Sequence, residues 1–228
     1  MTVANRPPPP PAATLHARRL ARFREAGLYL VTSEALSAGR STLEIVRAAL
    51  DAGVTLFQLR EKERPLRSLC ALAEEARRLT ARYGALLIVN DRLDVALAVG
   101  ADGVHLGQDD LPLPHARRLA PDLILGASTH DTVEAEQAQA EGCSYVNIGP
   151  LFPTGTKAWS SAFLGVDGLR AIAPHVCVPF TVMGGIKLHH VPELRAAGAT
   201  TLAVVTAVTA APDPGAAARA LLTAIRAG

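Results

Sequence analysis

Eight short apolar segments recur along this chain, each four or five residues long and rich in Val, Ile and Leu. They lie at residues 28–32, 55–59, 85–89, 103–106, 123–126, 145–148, 180–183 and 201–205. Segments this short and apolar are typical of strands that are buried on both faces, as in parallel sheets. Helical patterns separate them, and eight strand–helix units in one chain predict a closed barrel. We therefore predict the α/β class and a single (β/α)8 TIM barrel.

The intervals between the segments carry the patterns of amphipathic helices. Asp131-Thr-Val-Glu134 begins one such helix with an acidic first turn, and Gly142 ends it. Residues 64–83 form the pattern of another helix, with an apolar stripe along one face and charged residues outside that stripe. The stripe consists of Leu66, Leu69, Leu72, Ala73, Ala76 and Leu79. An open doubly wound sheet is the alternative architecture, but the segments number eight and no Gly-x-Gly-x-x-Gly follows the first.

The N-terminal stretch differs in composition from everything that follows. It contains the sequence Arg6-Pro-Pro-Pro-Pro-Pro-Ala12. Proline lacks a backbone N–H, so a run of this kind joins neither a helix interior nor a central strand. We expect a disordered, proline-rich tail over residues 1–14 and one catalytic barrel domain over residues 15–228.

The composition argues against several classes of partner. The net charge of +2, without a long block of Lys and Arg, argues against nucleic acid. No apolar run reaches the roughly 18 residues of a membrane helix, and the N-terminus lacks the apolar region of a secretory signal. Cys70, Cys143 and Cys177 lie far apart, so we expect buried, reduced thiols in a cytoplasmic protein. The oligomeric state stays open, with a homo-oligomer possible.

Polar residues that directly follow a strand are the candidates for chemistry, because a barrel of this kind places its active site at the C-terminal ends of the strands. Gln58, Arg60 and Lys62 follow the second strand, and alternation along an extended chain puts them on one side. Two cations and an amide suit an anion and the edge of a heterocycle. The alternative is a salt bridge between neighbouring strands through Glu61.

Acidic residues follow the third and fourth strands. Asn90 and Asp91 close the third, and Asp110 comes shortly after the fourth. Carboxylates at neighbouring strand ends are suited to hold Mg²⁺ against a substrate phosphate. As alternatives, Asp91 caps a helix at residues 91–99, and Asp109 or Asp110 caps a helix that begins near Leu111.

His105, within the fourth strand, is either a site residue or a histidine satisfied in the core. Ser128 and Thr129 follow the fifth strand, where hydroxyls either cap a helix or bind an oxygen of the leaving diphosphate. Thr154, Thr156 and Lys157 lie in the Gly- and Pro-rich loop after the sixth strand, within reach of a phosphate or a pyrimidine.

The last two strands end in sequences suited to a second anion. Met183-Gly-Gly-Ile186 follows the seventh strand and Val205-Thr206 ends the eighth. Barrels often bind a phosphate between these two loops, on backbone N–H groups, and paired glycines allow the close backbone approach that this requires. The sequence thus predicts a diphosphate with metal on one side and a monophosphate on the other.

Taken in this order, the motifs resemble those of the thiamine-phosphate synthase (thiamine-phosphate pyrophosphorylase) family, from Leu28 to Thr206. The resembling segments are Gln58-Leu-Arg-Glu-Lys62, Val89-Asn-Asp91, Ala101-Asp-Gly-Val-His-Leu-Gly-Gln-Asp-Asp110, Ser128-Thr-His130, Gly149-Pro-Leu-Phe-Pro-Thr-Gly-Thr-Lys157 and Gly184-Gly-Ile186. The resemblance implies a (β/α)8 enzyme that transfers an alkyl group. It would join 4-amino-5-hydroxymethyl-2-methylpyrimidine diphosphate to 4-methyl-5-(2-phosphooxyethyl)thiazole by a dissociative route, giving thiamine phosphate and diphosphate.

The resemblance also implies roles for individual residues. Asp91 and Asp110 would hold Mg²⁺. The pyrimidine diphosphate would be bound by Gln58, Arg60, Lys62, Asn90, Ser128 and Lys157, of which Arg60, Ser128 and Lys157 would be catalytic. The thiazole phosphate would be bound by Thr154, Thr156, Gly185 and the Val205-Thr206 backbone.

The sequence departs from the family's usual pattern at three places. Ala158-Trp-Ser-Ser161 replaces a proline–acid segment, Thr206 replaces serine, and Lys187-Leu-His-His190 replaces a segment with Thr or Asn. Two alternative functions share the barrel: a thiazole tautomerase relative and a non-catalytic barrel that binds a phosphate ligand. The tautomerase relatives tend to lose the metal acids and the cationic groups, which this chain retains.

Overall fold

The computed structural model describes residues 13–156 and 160–228. Within these residues, eight parallel strands close into a barrel in the order of the sequence. They are β1 (Leu28–Val31), β2 (Leu56–Leu59), β3 (Leu86–Asn90), β4 (Gly103–Leu106), β5 (Ile124–Thr129), β6 (Tyr145–Ile148), β7 (Phe180–Val182) and β8 (Thr201–Val204). The predicted (β/α)8 barrel is confirmed, and the predicted strands differ from the observed ones by at most three residues at an end.

Helices surround the barrel and connect its strands. The described residues contain α1 (Leu15–Arg24), α2 (Thr42–Asp51), α3 (Leu66–Arg82), α4 (Leu93–Ala98), α5 (Leu113–Leu119), α6 (Thr132–Ala140), α7 (Gly165–Ile172), α8 (Val191–Ala196), α9 (Thr206–Thr209) and α10 (Pro214–Ala227). Short 3-10 turns lie at Glu34–Leu36, Ala173–His175 and Leu188–His190. Helix α6 begins where the sequence predicted, and Asp131 caps it, because its carboxylate accepts a 2.8 Å hydrogen bond from the Glu134 N–H. The apolar stripe of α3 starts later than predicted, since Leu66 at its first position is exposed.

Alternating side chains along each strand divide the apolar core into two layers. One layer lies between the strands and the helices and includes Leu30, Phe57 and Val89. The other fills the barrel interior and includes Tyr29 and Tyr145. This alternation explains why the strands are apolar on both faces.

Helix α1 covers the N-terminal end of the barrel, and the strand–helix pattern did not predict it. Its Phe23 is buried in the inner layer, with its ring centroid 4.4 Å from that of Tyr145. Thr14, at the end of the predicted tail, caps α1 by accepting a hydrogen bond from the Ala17 N–H. Residues 1–12 of that tail lie outside the described residues, and the prediction of disorder there stays a prediction.

A buried carboxylate fastens α1 and α3 to the start of β4. Asp102 is 4% exposed and pairs with Arg19 at 3.2 Å and Arg77 at 2.9 Å. Its second oxygen also accepts a 3.0 Å hydrogen bond from the Leu87 N–H. A charge removed from water is tolerated when cations and hydrogen bonds replace its hydration, so Asp102 is a structural residue of the N-terminal end.

Two further sequence expectations concern the environment of the protein. None of the helices in the described residues is long and apolar enough to cross a membrane. The cysteines are all free, with Cys143 buried, Cys70 half-buried and Cys177 exposed. The expectation of buried thiols is therefore confirmed for Cys143, met only in part by Cys70, and wrong for Cys177, which lies in the loop before β7.

Candidate active site

A cavity of about 320 Å³ opens at the C-terminal ends of the strands. Every predicted site residue that the structure describes lines it: Gln58, Arg60, Lys62, Asn90, Asp91, Asp110, Ser128, Thr154, Thr156, Gly185, Val205 and Thr206. Lys157 lies outside the described residues, as do Ala158 and Trp159 of the unusual loop. The closure of the barrel thus brings together residues that are up to 148 positions apart in the sequence.

The end of β2 presents the predicted trio to the cavity. Gln58, Arg60 and Lys62 line the cavity, whereas Leu59 belongs to the layer beneath the helices. The alternation predicted from the sequence is therefore observed. Arg60 makes no side-chain hydrogen bond or ion pair with any residue that the structure describes, so its guanidinium is available for an anion.

Glu61 holds this segment in place from the other side. Its carboxylate accepts hydrogen bonds of 2.8 Å from the Thr32 hydroxyl and 2.7 Å from the Thr42 hydroxyl. The Arg60 N–H in turn donates to the Thr32 hydroxyl at 3.1 Å. The alternative of a salt bridge through Glu61 is wrong, because its partners are hydroxyl and amide groups.

Two carboxylates, Asp91 and Asp110, face one another at the ends of β3 and β4. Asp91 has a φ of 61°, a left-handed conformation that Asp tolerates better than most residues. Lys62 lies 3.2 Å from its carboxylate. Asp110 accepts a 2.7 Å hydrogen bond from the Gly107 N–H. Burial, together with the neighbouring negative charge of Asp91, raises the pKa of Asp110 above its usual range.

Neither acid caps a helix. Helix α4 begins at Leu93 after Arg92, and α5 begins at Leu113 after Pro112, without a capping side chain at either start. The capping alternatives for Asp91 over residues 91–99, and for Asp109 or Asp110 near Leu111, are therefore wrong. The described residues contain no group of three or more His, Cys, Asp and Glu side chains that could hold a metal ion, so a metal here would rest on two carboxylates.

A chain of polar side chains crosses the barrel interior below the cavity. The Gln58 amide donates to the Tyr29 hydroxyl at 2.8 Å, and the Tyr29 and Tyr145 hydroxyls are 2.9 Å apart. His105 lies 2.8 Å from the Tyr145 hydroxyl through Nδ1 and 3.0 Å from the Ser128 hydroxyl through Nε2. Burial lowers the pKa of His105 to about 4. Burial also raises the pKa of both tyrosines.

The sequence left open whether His105 belongs to the core or to the site, and the structure places it at the boundary of the two. It is buried and hydrogen-bonded, as a core histidine would be, and it also lines the cavity. Ser128 and Thr129 lie within β5 and cap no helix, because the cap of α6 is Asp131. Thr129 is buried, and its hydroxyl donates to the Asn147 carbonyl at 3.3 Å.

The opposite side of the cavity is formed by the loops after β6, β7 and β8. The hydroxyl of Thr154 lies 3.2 Å from that of Thr156 and accepts a hydrogen bond from the Thr156 N–H. Gly185, Val205 and Thr206 complete this side, with Thr206 as the first residue of α9. These five residues offer hydroxyl groups and backbone to the cavity, and none of them carries a carboxylate.

The loops after β6 and β7 pack directly on one another. The Leu151 N–H donates to the Met183 carbonyl at 2.9 Å, and the Phe152 N–H donates to the Gly184 carbonyl at 3.0 Å. Gly185 has a φ of 64°, and a Cβ at this position would overlap the Pro153 carbonyl oxygen. Glycine is therefore required here both by conformation and by space.

Sequence reasoning missed Asn147 as a cavity residue. It lies within β6, is 4% exposed, and its amide oxygen accepts a 2.7 Å hydrogen bond from the Thr181 hydroxyl. It also lines the cavity. The available signal was an amide inside the apolar run Tyr145-Val-Asn-Ile148, because a buried polar group must find a partner or a ligand.

Comparison with known proteins agrees with this geometry. A family profile described as thiamine monophosphate synthase matches residues 28–208. The thiamine-phosphate synthase of Chloroflexus aurantiacus is 50% identical over 194 residues, covering 85% of this chain and 90% of that protein. The thiamine-phosphate synthase of Moorella thermoacetica is 49% identical over 195 residues, covering 85% and 93%.

Solved structures agree as well. The thiamine phosphate pyrophosphorylase of Pyrococcus furiosus superposes with a TM-score of 0.83 at 37% identity, covering 91% of this chain and 98% of that one. A 3-hexulose-6-phosphate synthase superposes with a TM-score of 0.66 at 20% identity, covering 87% and 99%, and shares the fold alone. The matched span and the identity of these relatives confirm the predicted family: the chain belongs to the thiamine monophosphate synthase family.

Proposed function

We propose that this chain joins 4-amino-5-hydroxymethyl-2-methylpyrimidine diphosphate to 4-methyl-5-(2-phosphooxyethyl)thiazole, giving thiamine phosphate and diphosphate. Its function is that of a thiamine-phosphate synthase, an enzyme that transfers an alkyl group. The observation that supports the detailed assignment is the division of the cavity lining into two sides of different chemistry. Cations and paired carboxylates occupy one side, and threonines with a glycine-lined backbone occupy the other.

Mg²⁺ is the proposed cofactor, held by Asp91 and Asp110. The fit is supported by their mutual approach, since the charge of Asp91 contributes to the raised pKa of Asp110 and a cation between them would relieve that repulsion. Mg²⁺ in phosphate-handling sites commonly takes one or two carboxylates and leaves its other positions to water and substrate phosphates. When bound, the ion would neutralise charge on the diphosphate.

The diphosphate side supplies the remaining positive charge. Arg60, whose guanidinium has no partner among the described residues, would form paired hydrogen bonds to phosphate oxygens. Lys62 would exchange part of its contact with Asp91 for the substrate. Lys157 is proposed to face the same diphosphate on the basis of its place in the sequence motif. Gln58 and Asn90 would bind the pyrimidine, because amides match the donors and acceptors of its ring edge.

The reaction proposed here breaks the bond between the pyrimidine methylene carbon and the diphosphate oxygen. The electron pair leaves with the diphosphate, and the ring nitrogen of the thiazole donates its lone pair to the resulting pyrimidine-methyl cation. The new carbon–nitrogen bond leaves the positive charge on the thiazolium product. Thr154 and Thr156 would hold the thiazole phosphate, and Gly185, Val205 and Thr206 would offer backbone N–H groups to it, so that the nitrogen is already placed for attack.

The direct test is an assay of thiamine phosphate and diphosphate after the chain is incubated with both substrates and Mg²⁺. Both products should appear in equal amounts, and chelation of the metal should stop their formation. Each substrate alone serves as a control, because a transfer reaction requires both. Release of diphosphate without thiamine phosphate would contradict the proposal.

The same assay separates the two alternative functions. A thiazole tautomerase relative would bind the thiazole phosphate and release no diphosphate from the pyrimidine substrate. A non-catalytic barrel would bind a phosphate ligand and form no product at all. The retention of Asp91, Asp110, Arg60 and Lys62 in one cavity supports the synthase over both.

A further inference from the structure

Five side chains from five strands form one continuous hydrogen-bonded chain through the barrel. It runs from Gln58 on β2 through Tyr29 on β1, Tyr145 on β6 and His105 on β4 to Ser128 on β5, with successive distances of 2.8, 2.9, 2.8 and 3.0 Å. Both ends line the cavity, whereas the two tyrosines are at most 1% exposed. Gln58 and Ser128, two residues proposed to bind substrate, are thus connected through the barrel interior, away from water.

Counting hydrogens gives this chain a direction. The Gln58 amide nitrogen can only donate, so Tyr29 accepts from it. The Tyr29 hydrogen then has one acceptor among the described residues, the Tyr145 hydroxyl, and the reverse direction would leave this buried hydrogen without a partner. Tyr145 then accepts from Tyr29 and donates its own hydrogen to Nδ1 of His105. Because Nδ1 accepts, the neutral ring carries its hydrogen on Nε2, which donates to the Ser128 hydroxyl. The Ser128 hydrogen is left free to point into the cavity.

We propose that Tyr145 and His105 are positioning residues that keep the Ser128 hydroxyl as a hydrogen-bond donor toward the diphosphate. The inference rests on the proposed function for the identity of the anion, but the direction of the chain follows from the protein alone. If the chain ran the other way, Ser128 would spend its only hydrogen on His105 and would turn lone pairs toward a negatively charged oxygen. The direction therefore decides whether Ser128 attracts or repels the substrate.

The barrel is shaped to accommodate this chain. Tyr145 lies across the interior where β5 has glycine, and a Cβ at Gly126 would overlap the Tyr145 ring. Phe23 of α1 also packs against that ring, with the two ring centroids 4.4 Å apart. Both contacts restrict the ring, and a restricted ring keeps its hydroxyl between Tyr29 and His105.

A spectroscopic measurement tests the direction without any substrate. Protonated and unprotonated ring nitrogens differ in ¹⁵N chemical shift, and comparison with a His105→Gln variant assigns the His105 signals. In the unmodified protein near neutral pH, the hydrogen should be on Nε2 and absent from Nδ1. A hydrogen on Nδ1 would overturn the proposal. This result requires no Tyr variant to fold and no turnover, so it remains informative even if the proposed reaction is wrong.

A double-mutant cycle tests the consequence for the reaction. Tyr145→Phe removes the donor to Nδ1 and should let the ring adopt both tautomers. Its kcat should fall roughly tenfold or more, as expected for a weakened hydrogen bond to a charged group. In a Ser128→Ala background the same substitution should have almost no further effect on kcat.

A structural role alone predicts a different pattern. Tyr145→Phe would then lower kcat by the same factor in the unmodified protein and in the Ser128→Ala background, and that outcome would overturn the proposal. Tyr83→Phe is the matched control, because Tyr83 is 46% exposed and its hydroxyl donates to Asp51 on the surface. It removes a tyrosine hydroxyl in the same way and should leave kcat and the His105 tautomer unchanged.

Discussion

Asp102 and Asp110 lie at opposite ends of β4, and the surroundings of their carboxylates differ. Asp102 has two arginines and a backbone N–H around a buried carboxylate. Asp110 has one backbone N–H and lies beside a second acid, Asp91, with the charge of Lys62 as a favourable neighbour. The negative charge of Asp102 is balanced by its partners in the protein, whereas that of Asp110 is balanced only in part.

This difference separates stability from function along one strand. A carboxylate that is already paired gains nothing from a ligand, and its removal exposes its partners to the cost of burial. A carboxylate held beside another acid is destabilising until a cation binds, so its arrangement makes sense as a binding site. The N-terminal end of the barrel is therefore expected to respond to mutation by unfolding, and the C-terminal end by loss of activity.

The largest expected effect is on stability at the N-terminal end. Asp102→Ala would leave Arg19 and Arg77 without their partner and the Leu87 N–H without an acceptor, at a cost of about 4 kcal/mol. Chemical denaturation would measure this loss, while kcat of the protein that stays folded should be unchanged. Asp167→Ala is the control, since Asp167 is 97% exposed in its pair with Arg170 and should matter little. Equal effects of the two substitutions would contradict the comparison.

The stability of the protein is expected to depend on pH through His105, which lies inside the barrel. Burial holds its pKa at about 4, below the value of about 6.5 in an unfolded chain. The unfolded chain therefore takes up the proton first as the pH falls. Stability should be full above about pH 6.5 and should decline by roughly 3 kcal/mol as the pH falls to about 4. Denaturation across this range should show a shallower decline for His105→Gln, and an unchanged decline would refute the assignment to His105.

The expected effect at the C-terminal end is on catalysis. Asp110→Ala should lower turnover about a hundredfold, which corresponds to about 2.7 kcal/mol of transition-state stabilisation. The same substitution should not lower the melting temperature, because it removes a carboxylate that faces Asp91. Kinetics at limiting Mg²⁺ would detect the loss, with Asp94→Ala as an acid-to-alanine control outside the cavity. Wild-type turnover of Asp110→Ala would remove Asp110 from the proposed metal site.

The smallest effect is expected from the N-terminal segment that precedes α1. Deletion of residues 1–12 leaves Thr14 in place to cap α1, and a proline-rich composition offers little apolar surface to pack. Melting temperature and turnover should both stay nearly unchanged. A large loss of either would show that the segment binds to the barrel or to another subunit.

The sequence predicted the strands well because both layers of the core demand apolar residues at most strand positions. It did not predict α1, because Phe23 is the one buried residue in that helix among several arginines. Such a helix is stabilised by packing against the barrel, and its apolar periodicity is too weak to predict it from the sequence.

The predicted site residues share one cavity because polar side chains at strand ends converge once a barrel closes. Their arrangement could not be read in the same way. An apolar run that is buried on both faces does not tell which face is interior, so the contact between Tyr29 and Tyr145 was hidden. The left-handed backbone of Asp91 and its approach to Asp110 depend on contacts between different strands.

The packing of the loops after β6 and β7 has a consequence for attempts to change the substrate. Because Gly184 and Gly185 lie against the loop after β6, neither loop can be redesigned as an independent module. A library that randomises the loop after β6 alone would be filtered first for compatibility with the glycines beneath it. Sequence diversity is better placed in both loops at once, with the two glycines kept constant where the loops are in contact.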